Sequence, residues 1–186
     1  MSIMHSMRLI KTLVAVASLA AVTATVNAAP APRVGRVPLL TDPHLPHVQY
    51  VLVKKSARRL YLMNGSTVVR AFRIHLGLMP NGPKERSGDY RTPVGWYHLV
   101  RRDPRSDFFL SIQISYPNRA DLARARVHHW QPGGEIMIHG LPNRLHSSLS
   151  YYLHSDWTDG CIAVSDADMM QIWMMTRDGM RIDIQP

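Results

Sequence analysis

Cysteine is almost absent: Cys161 is the only thiol in 186 residues. An internal disulfide is therefore excluded, and the sulfur is buried and inert, paired with another molecule, or reactive. Acidic residues are also in short supply, with 13 Asp+Glu against 22 Lys+Arg and a formal net charge of +9. The surplus attracts polyanions, but the basic residues are scattered (Arg101, Arg102, Arg105, Arg119, Arg124, Arg126). No basic stripe interleaved with aromatics forms, so nucleic acid is not the expected partner. No apolar run reaches the roughly 20 residues that a transmembrane helix needs, which argues against a membrane span. Ten histidines are present, yet none of the spacings typical of metal sites occurs and an H-E-x-x-H helix is lacking. His128, His129, His146 and His154 could meet a metal only on paper, and neither a metal nor a cofactor is expected. There is no internal repeat and no alternation of strands with long helices, which disfavours a doubly wound α/β fold.

What is present begins with a targeting pattern. Arg8 and Lys11 precede a short apolar run, Leu13 to Val22, and Val26-Asn27-Ala28 supplies small residues for cleavage. Residues 1–28 read as a signal peptide and the protein as exported; an uncleaved N-terminal anchor is the alternative. Residues 29–47 form a proline-rich arm or linker without periodicity. Residues 48–186 then have the length of one domain.

Within that domain the pattern is mainly β. Val48 to Val53 is a strand-like run, and Leu60 to Met63, Asn64-Gly65, then Ser66 to Ile74 carry a hairpin signal. Gly77 to Gly88 is a loop. Trp96 to Val100 and Phe108 to Tyr116 are strands, and Asp121 to Arg126 has the composition of a helical turn. Glu135 to His139 is a short apolar strand ending in histidine. A helix capped by Asn143 would place Leu145, Leu149, Tyr152 and Leu153 on one side, and a second begins at a Ser165-x-x-Asp168 capping box. Its Met169, Ile172 and Trp173 read as core rather than a partner groove. Met180 to Ile184 alternates as a last strand.

The flanks of the cysteine favour reactivity. Gly160 directly before Cys161 lets the backbone turn sharply and frees nearby N–H groups to face a substrate, and a core-filling thiol would need neither this glycine nor the preceding Thr158-Asp159. A nucleophilic cysteine requires a histidine or a cation beside it. His139 ends an apolar strand and is followed by Gly140, which presents its ring at a loop mouth. Taken alone, His139 reads more readily as a strand-end histidine bonded in the core.

These residues resemble the paired signature of YkuD-type L,D-transpeptidase catalytic domains, with Ile138-His139-Gly140 followed by Gly160-Cys161-Ile162. Three further stretches agree in order: Lys55-Ser56-Ala57-Arg58-Arg59-Leu60-Tyr61-Leu62 with the opening hairpin, Gly88 to Tyr97 with a G-D-x-x-T-P-x-G-x-Y segment, and Pro132-Gly133-Gly134-Glu135-Ile136 with the approach to the histidine. The resemblance spans about Val48 to Ile184. It implies a β-sandwich-like catalytic fold with a few short helices around the active site. It also implies a periplasmic or secreted, wall-associated cysteine acyltransferase, acting on peptidoglycan stem peptides without a cofactor. Cys161 would attack the diaminopimelate carbonyl of a tetrapeptide, expel D-alanine and pass the acyl group to an amine. That amine would belong to another stem (a 3→3 cross-link) or to the lysine of a wall-linked lipoprotein. His139 would shuttle protons, the Gly140 carbonyl would orient it, and backbone N–H groups of Asp159, Gly160 and Cys161 would hold the oxyanion.

Asp159 and Ala163 depart from the usual S-H-G-C-I-R, standing where histidine and arginine are common. The first adds negative charge beside the sulfur and the second removes a fixed cation. Two other activities share these residues or this fold: a hydrolase (L,D-carboxypeptidase, or an amidase releasing wall-linked lipoprotein) and a non-catalytic wall-binding module.

Overall fold

The computed structural model describes residues 46–186. The signal segment 1–28 and all but the last two residues of the arm 29–47 lie outside the described residues. Eight strands and three short helices follow in the order β1 (Tyr50–Lys54), β2 (Arg59–Asn64), β3 (Thr67–Arg73), β4 (Gly95–Asp103), β5 (Ser111–Ile114), α1 (Arg119–Val127), β6 (Met137–His139), α2 (Leu149–His154), β7 (Ile162–Ala163), α3 (Asp166–Met175) and β8 (Arg181–Gln185). The protein is mostly β, as its strand-like runs imply.

All eight strands belong to one sheet of order β3-β2-β1-β8-β4-β5-β6-β7. Gly65-Ser66 forms the turn of the β2–β3 hairpin, with Asn64 still in β2 opposite Thr67, so the turn lies one residue later than the Asn64-Gly65 signal places it. Gly65 sits at φ +57°, a conformation glycine adopts without a Cβ clash. The sheet curls. Beyond β3, His75 and Ala163 of β7 exchange two backbone hydrogen bonds of 2.8 Å, so the two ends of the sheet meet. Inward-facing Val51, Val53, Leu60, Leu62, Ile182 and Ile184 fill the interior, joined by Leu99, Ile112, Ile114, Ile138 and Ile162 from the second half. Each such side chain removed from water stabilises the fold by roughly 1.5–3 kcal/mol. Met169 and Ile172 of α3 are fully buried against this core.

Local rules account for most ends. Asn118 caps α1 in a full capping box with Asp121, and Ser165 caps α3 by accepting from the Asp168 N–H. Two expectations are corrected. α2 is capped by Ser148, not Asn143: the Asn143 side chain is taken by long-range partners, accepting from the Phe109 N–H and donating to the Ser106 carbonyl. Of the apolar side proposed for that helix only Tyr152 is buried, while Leu145 and Leu149 remain about half exposed. The strand expected over Phe108 to Tyr116 is also shorter. Phe109 sits at φ +60°, which breaks the extended run and turns Phe108 away from the sheet toward the histidine.

Candidate active site

β6 and β7 run parallel, with Ile138 opposite Ile162 and His139 opposite Ala163. Cys161 lies two residues before Ala163, on the same face by strand alternation, so the imidazole and the thiol come to one side of the pair. Both line a cavity of about 730 Å³ together with Lys84, Tyr90, Phe108, Glu135, Trp157 and Asp159. The fold thus brings together two residues far apart in sequence.

His139 is buried, and its Nδ1 lies 2.7 Å from the Gly140 carbonyl oxygen. A carbonyl only accepts, so Nδ1 carries the hydrogen and Nε2 keeps its lone pair. Phe108 and Trp157 pack on the ring, with centroids 4.6 and 5.5 Å away. Burial pushes His139 down to about 4, against a smaller opposing effect of the Gly140 bond. The Cys161 thiol donates to the Glu135 carbonyl at 3.6 Å. Burial also raises its pKa; Asp159 and Glu135 add to the rise, while the Met137 N–H and Lys84 oppose it. The pair therefore rests as thiol and neutral imidazole rather than as a preformed ion pair. A neutral imidazole with a free Nε2 can take a proton from the thiol as a carbonyl is attacked.

The turn before the cysteine is locked. Thr158 Oγ1 donates to the Cys161 carbonyl (2.8 Å) and accepts from the Gly160 N–H (3.1 Å). Of the three peptide donors implied for an oxyanion, Gly160 is thus already engaged. The N–H groups of Asp159 and Cys161 have no hydrogen-bond partner among the described residues. Gly160 needs to be glycine twice over: its φ is +127°, and a Cβ would lie 2.6 Å from the Arg91 carbonyl oxygen.

Sequence reasoning missed the opposite wall. Lys84 is buried, and its Nζ donates to Asp89 Oδ1 (2.7 Å) and to the Arg86 carbonyl (3.2 Å). Asp89 accepts further from the N–H groups of Glu85, Arg86 and Arg91. Burial acts to raise the Asp89 pKa, but Lys84 and these donors outweigh it and hold the carboxyl below its ordinary range. Pro83-Lys84 in a loop gives no local signal of burial. Phe108 and Trp157 were missed as site residues for the same reason: only the folded chain shows what they cover. A second cavity, about 770 Å³, lies beyond these two aromatics and is lined by Asn143, Arg144, Tyr151 and Tyr152. No cluster of three or more metal-ligating side chains forms among the described residues.

Comparison with known proteins gives the family and the fold. The YkuD family model, the L,D-transpeptidase catalytic domain, matches residues 48–184. An Escherichia coli K12 protein, YafK, named as an L,D-transpeptidase, is 39% identical over 61 residues, which are 32% of this chain and 23% of that protein. The match therefore spans under a quarter of the length of the curated relatives found. The helical cell shape determining protein Pgp2 from Campylobacter jejuni superposes with a TM-score of 0.56 at 27% identity, over 75% of this chain and 48% of that one. An L,D-transpeptidase from Xylanimonas cellulosilytica shares the fold, with a TM-score of 0.50 at 17% identity, over 76% of this chain and 62% of that one.

Proposed function

Since this chain belongs to the YkuD family of L,D-transpeptidase catalytic domains and so to peptidoglycan-related chemistry, we propose that it is an exported cysteine acyltransferase acting on stem peptides. The observation that carries this reading is the placement of Cys161 and His139 in one cavity, with the Gly140 carbonyl holding the histidine by Nδ1.

The thiol proton passes to His139 Nε2 as the sulfur attacks the diaminopimelate carbonyl of a tetrapeptide. The resulting oxyanion accepts from the free N–H groups of Asp159 and Cys161. Collapse breaks the C–N bond, the proton returns from His139 to the departing D-alanine amine, and a thioester remains on Cys161. An acceptor amine then attacks the thioester, gives its proton to Nε2 and releases the thiol. The acceptor belongs to a neighbouring stem or to a wall-linked lipoprotein. The second cavity supports transfer between two bulky partners, since it adjoins the first across Phe108 and Trp157. Residues 1–28 direct export, 29–47 serve as a spacer, and 48–186 form the catalytic unit.

Mass analysis of muropeptides made from tetrapeptide-rich sacculi tests the reading. New 3→3 cross-links or peptide-linked lipoprotein are expected with the parent chain and absent with Cys161→Ala. Release of D-alanine with water as the sole acceptor would instead make it a hydrolase, and identical digests with and without protein would refute both.

A further inference from the structure

The charges around the thiol are unevenly arranged. Two carboxylates, Asp159 and Glu135, line the cavity near Cys161, and Lys84 is the one Lys or Arg among its lining residues. The position where the family resemblance places an arginine holds Ala163, fully buried and bonded through its backbone to His75. No cation can reach the site from there.

Lys84 is placed to take over that role. Its side chain is 4% exposed, so its charge acts with little screening. Asp89 does not consume it: that carboxylate has three backbone N–H donors of its own and is satisfied largely by the loop. An ammonium has three donors, and Lys84 uses two, on Asp89 and on the Arg86 carbonyl. The third has no protein acceptor among the described residues. Gly133 at φ +82° closes over the stem, with a notional Cβ 3.5 Å from the Lys84 Cε, so the chain has little freedom to swing out.

We propose that Lys84 is the carboxylate-binding residue of this cavity, engaging a free carboxylate of the acyl-donor peptide through its unused N–H. The assignment rests on the stem-peptide reading above. Such a peptide offers two carboxylates near the scissile bond, the C-terminal one of the leaving amino acid and the one on the distal centre of the diamino acid. Asp89, which accepts from Nζ at 2.7 Å, is a positioning residue for the lysine.

The test is binding, measured calorimetrically on the full chain carrying Cys161→Ala. Three synthetic tetrapeptides serve as probes: the free acid, the C-terminal carboxamide and the distal-centre carboxamide. We expect the free acid to bind at least tenfold more tightly than one of the two carboxamides, which identifies the carboxylate. That preference should shrink to within about twofold in Lys84→Gln, which keeps a donor to Asp89 without the charge, and in the paired Lys84→Met/Asp89→Asn change, which leaves no buried lone charge. A preference that survives in both variants, equal binding of all three peptides, or no binding at all would overturn the assignment. Failure of the wider reading looks different: a Lys84-dependent preference in the Cys161→Ala chain combined with no turnover of the bound free acid by the parent.

Discussion

At the residue scale, the pairing of a neutral imidazole with a neutral thiol sets the pH behaviour. Burial holds His139 down at about 4, so it stays an available base far below the usual histidine range near 6.5. Acyl transfer, followed as kcat/KM, should therefore persist at pH 5 and fall by half only near 4. A half-loss near 6.5 would show that burial does not hold the pKa of His139 down. This departs from a pair held as thiolate and imidazolium, which the motif alone invites, because the sequence does not reveal how completely Phe108 and Trp157 cover the ring. Asp159 offers a second check. Its exposed carboxylate disfavours the thiolate, so Asp159→Asn should speed alkylation of Cys161 by about two- to fivefold at pH 8. Slower alkylation in Asp159→Asn would mean that the carboxylate assists the thiol.

At the element scale, the site depends on close backbone approach between three segments. Gly77 lies where a Cβ would meet the Tyr90 carbonyl oxygen at 2.0 Å and the Gly160 Cα at 3.1 Å. Gly77→Ala must push the Tyr90 loop away from the cysteine turn, and it should cost more than about 3 kcal/mol in urea unfolding. A change under 1 kcal/mol would mean that this packing is not needed. Much of the local architecture was legible: the β2–β3 hairpin, with its turn displaced by one residue to Gly65-Ser66, and the Ser165 cap follow from residues adjacent in sequence, as does the short strand that delivers His139. What could not be read depends on distant partners. Asn143 has the chemistry of a cap, but Phe109 and Ser106 claim its side chain. β8 alternates like an outer strand, yet it lies at the centre of the sheet, parallel to β1 with Val51 opposite Ile182. The Cys161–His139 pair was legible because both belong to short motifs, whereas Lys84 sits in a loop whose sequence does not announce a buried ion pair.

At the scale of the whole molecule, burying a neutral histidine at the end of a core strand couples stability to acidity. The folded His139 has a pKa below that of the unfolded chain, so the unfolded state binds the proton first. Stability is full above about 6.5 and is lost as pH falls toward 4, by on the order of 3 kcal/mol. His75, also lowered chiefly by burial, acts in the same direction. Urea midpoints at pH 7.5 and 4.5 should differ accordingly, and His139→Gln should remove most of the difference; equal midpoints in the parent would contradict this burial. Capture of the acyl-enzyme tests the chemistry of Cys161 and His139 most directly. The full chain is mixed with a disaccharide tetrapeptide, quenched in acid within seconds and weighed intact, then digested to locate the adduct. A thioester on Cys161 is expected, adding the mass of the donor less its terminal D-alanine, missing in Cys161→Ala and strongly reduced in His139→Ala. Turnover of the same donor by Cys161→Ala, or an adduct on any other residue, would contradict that chemistry.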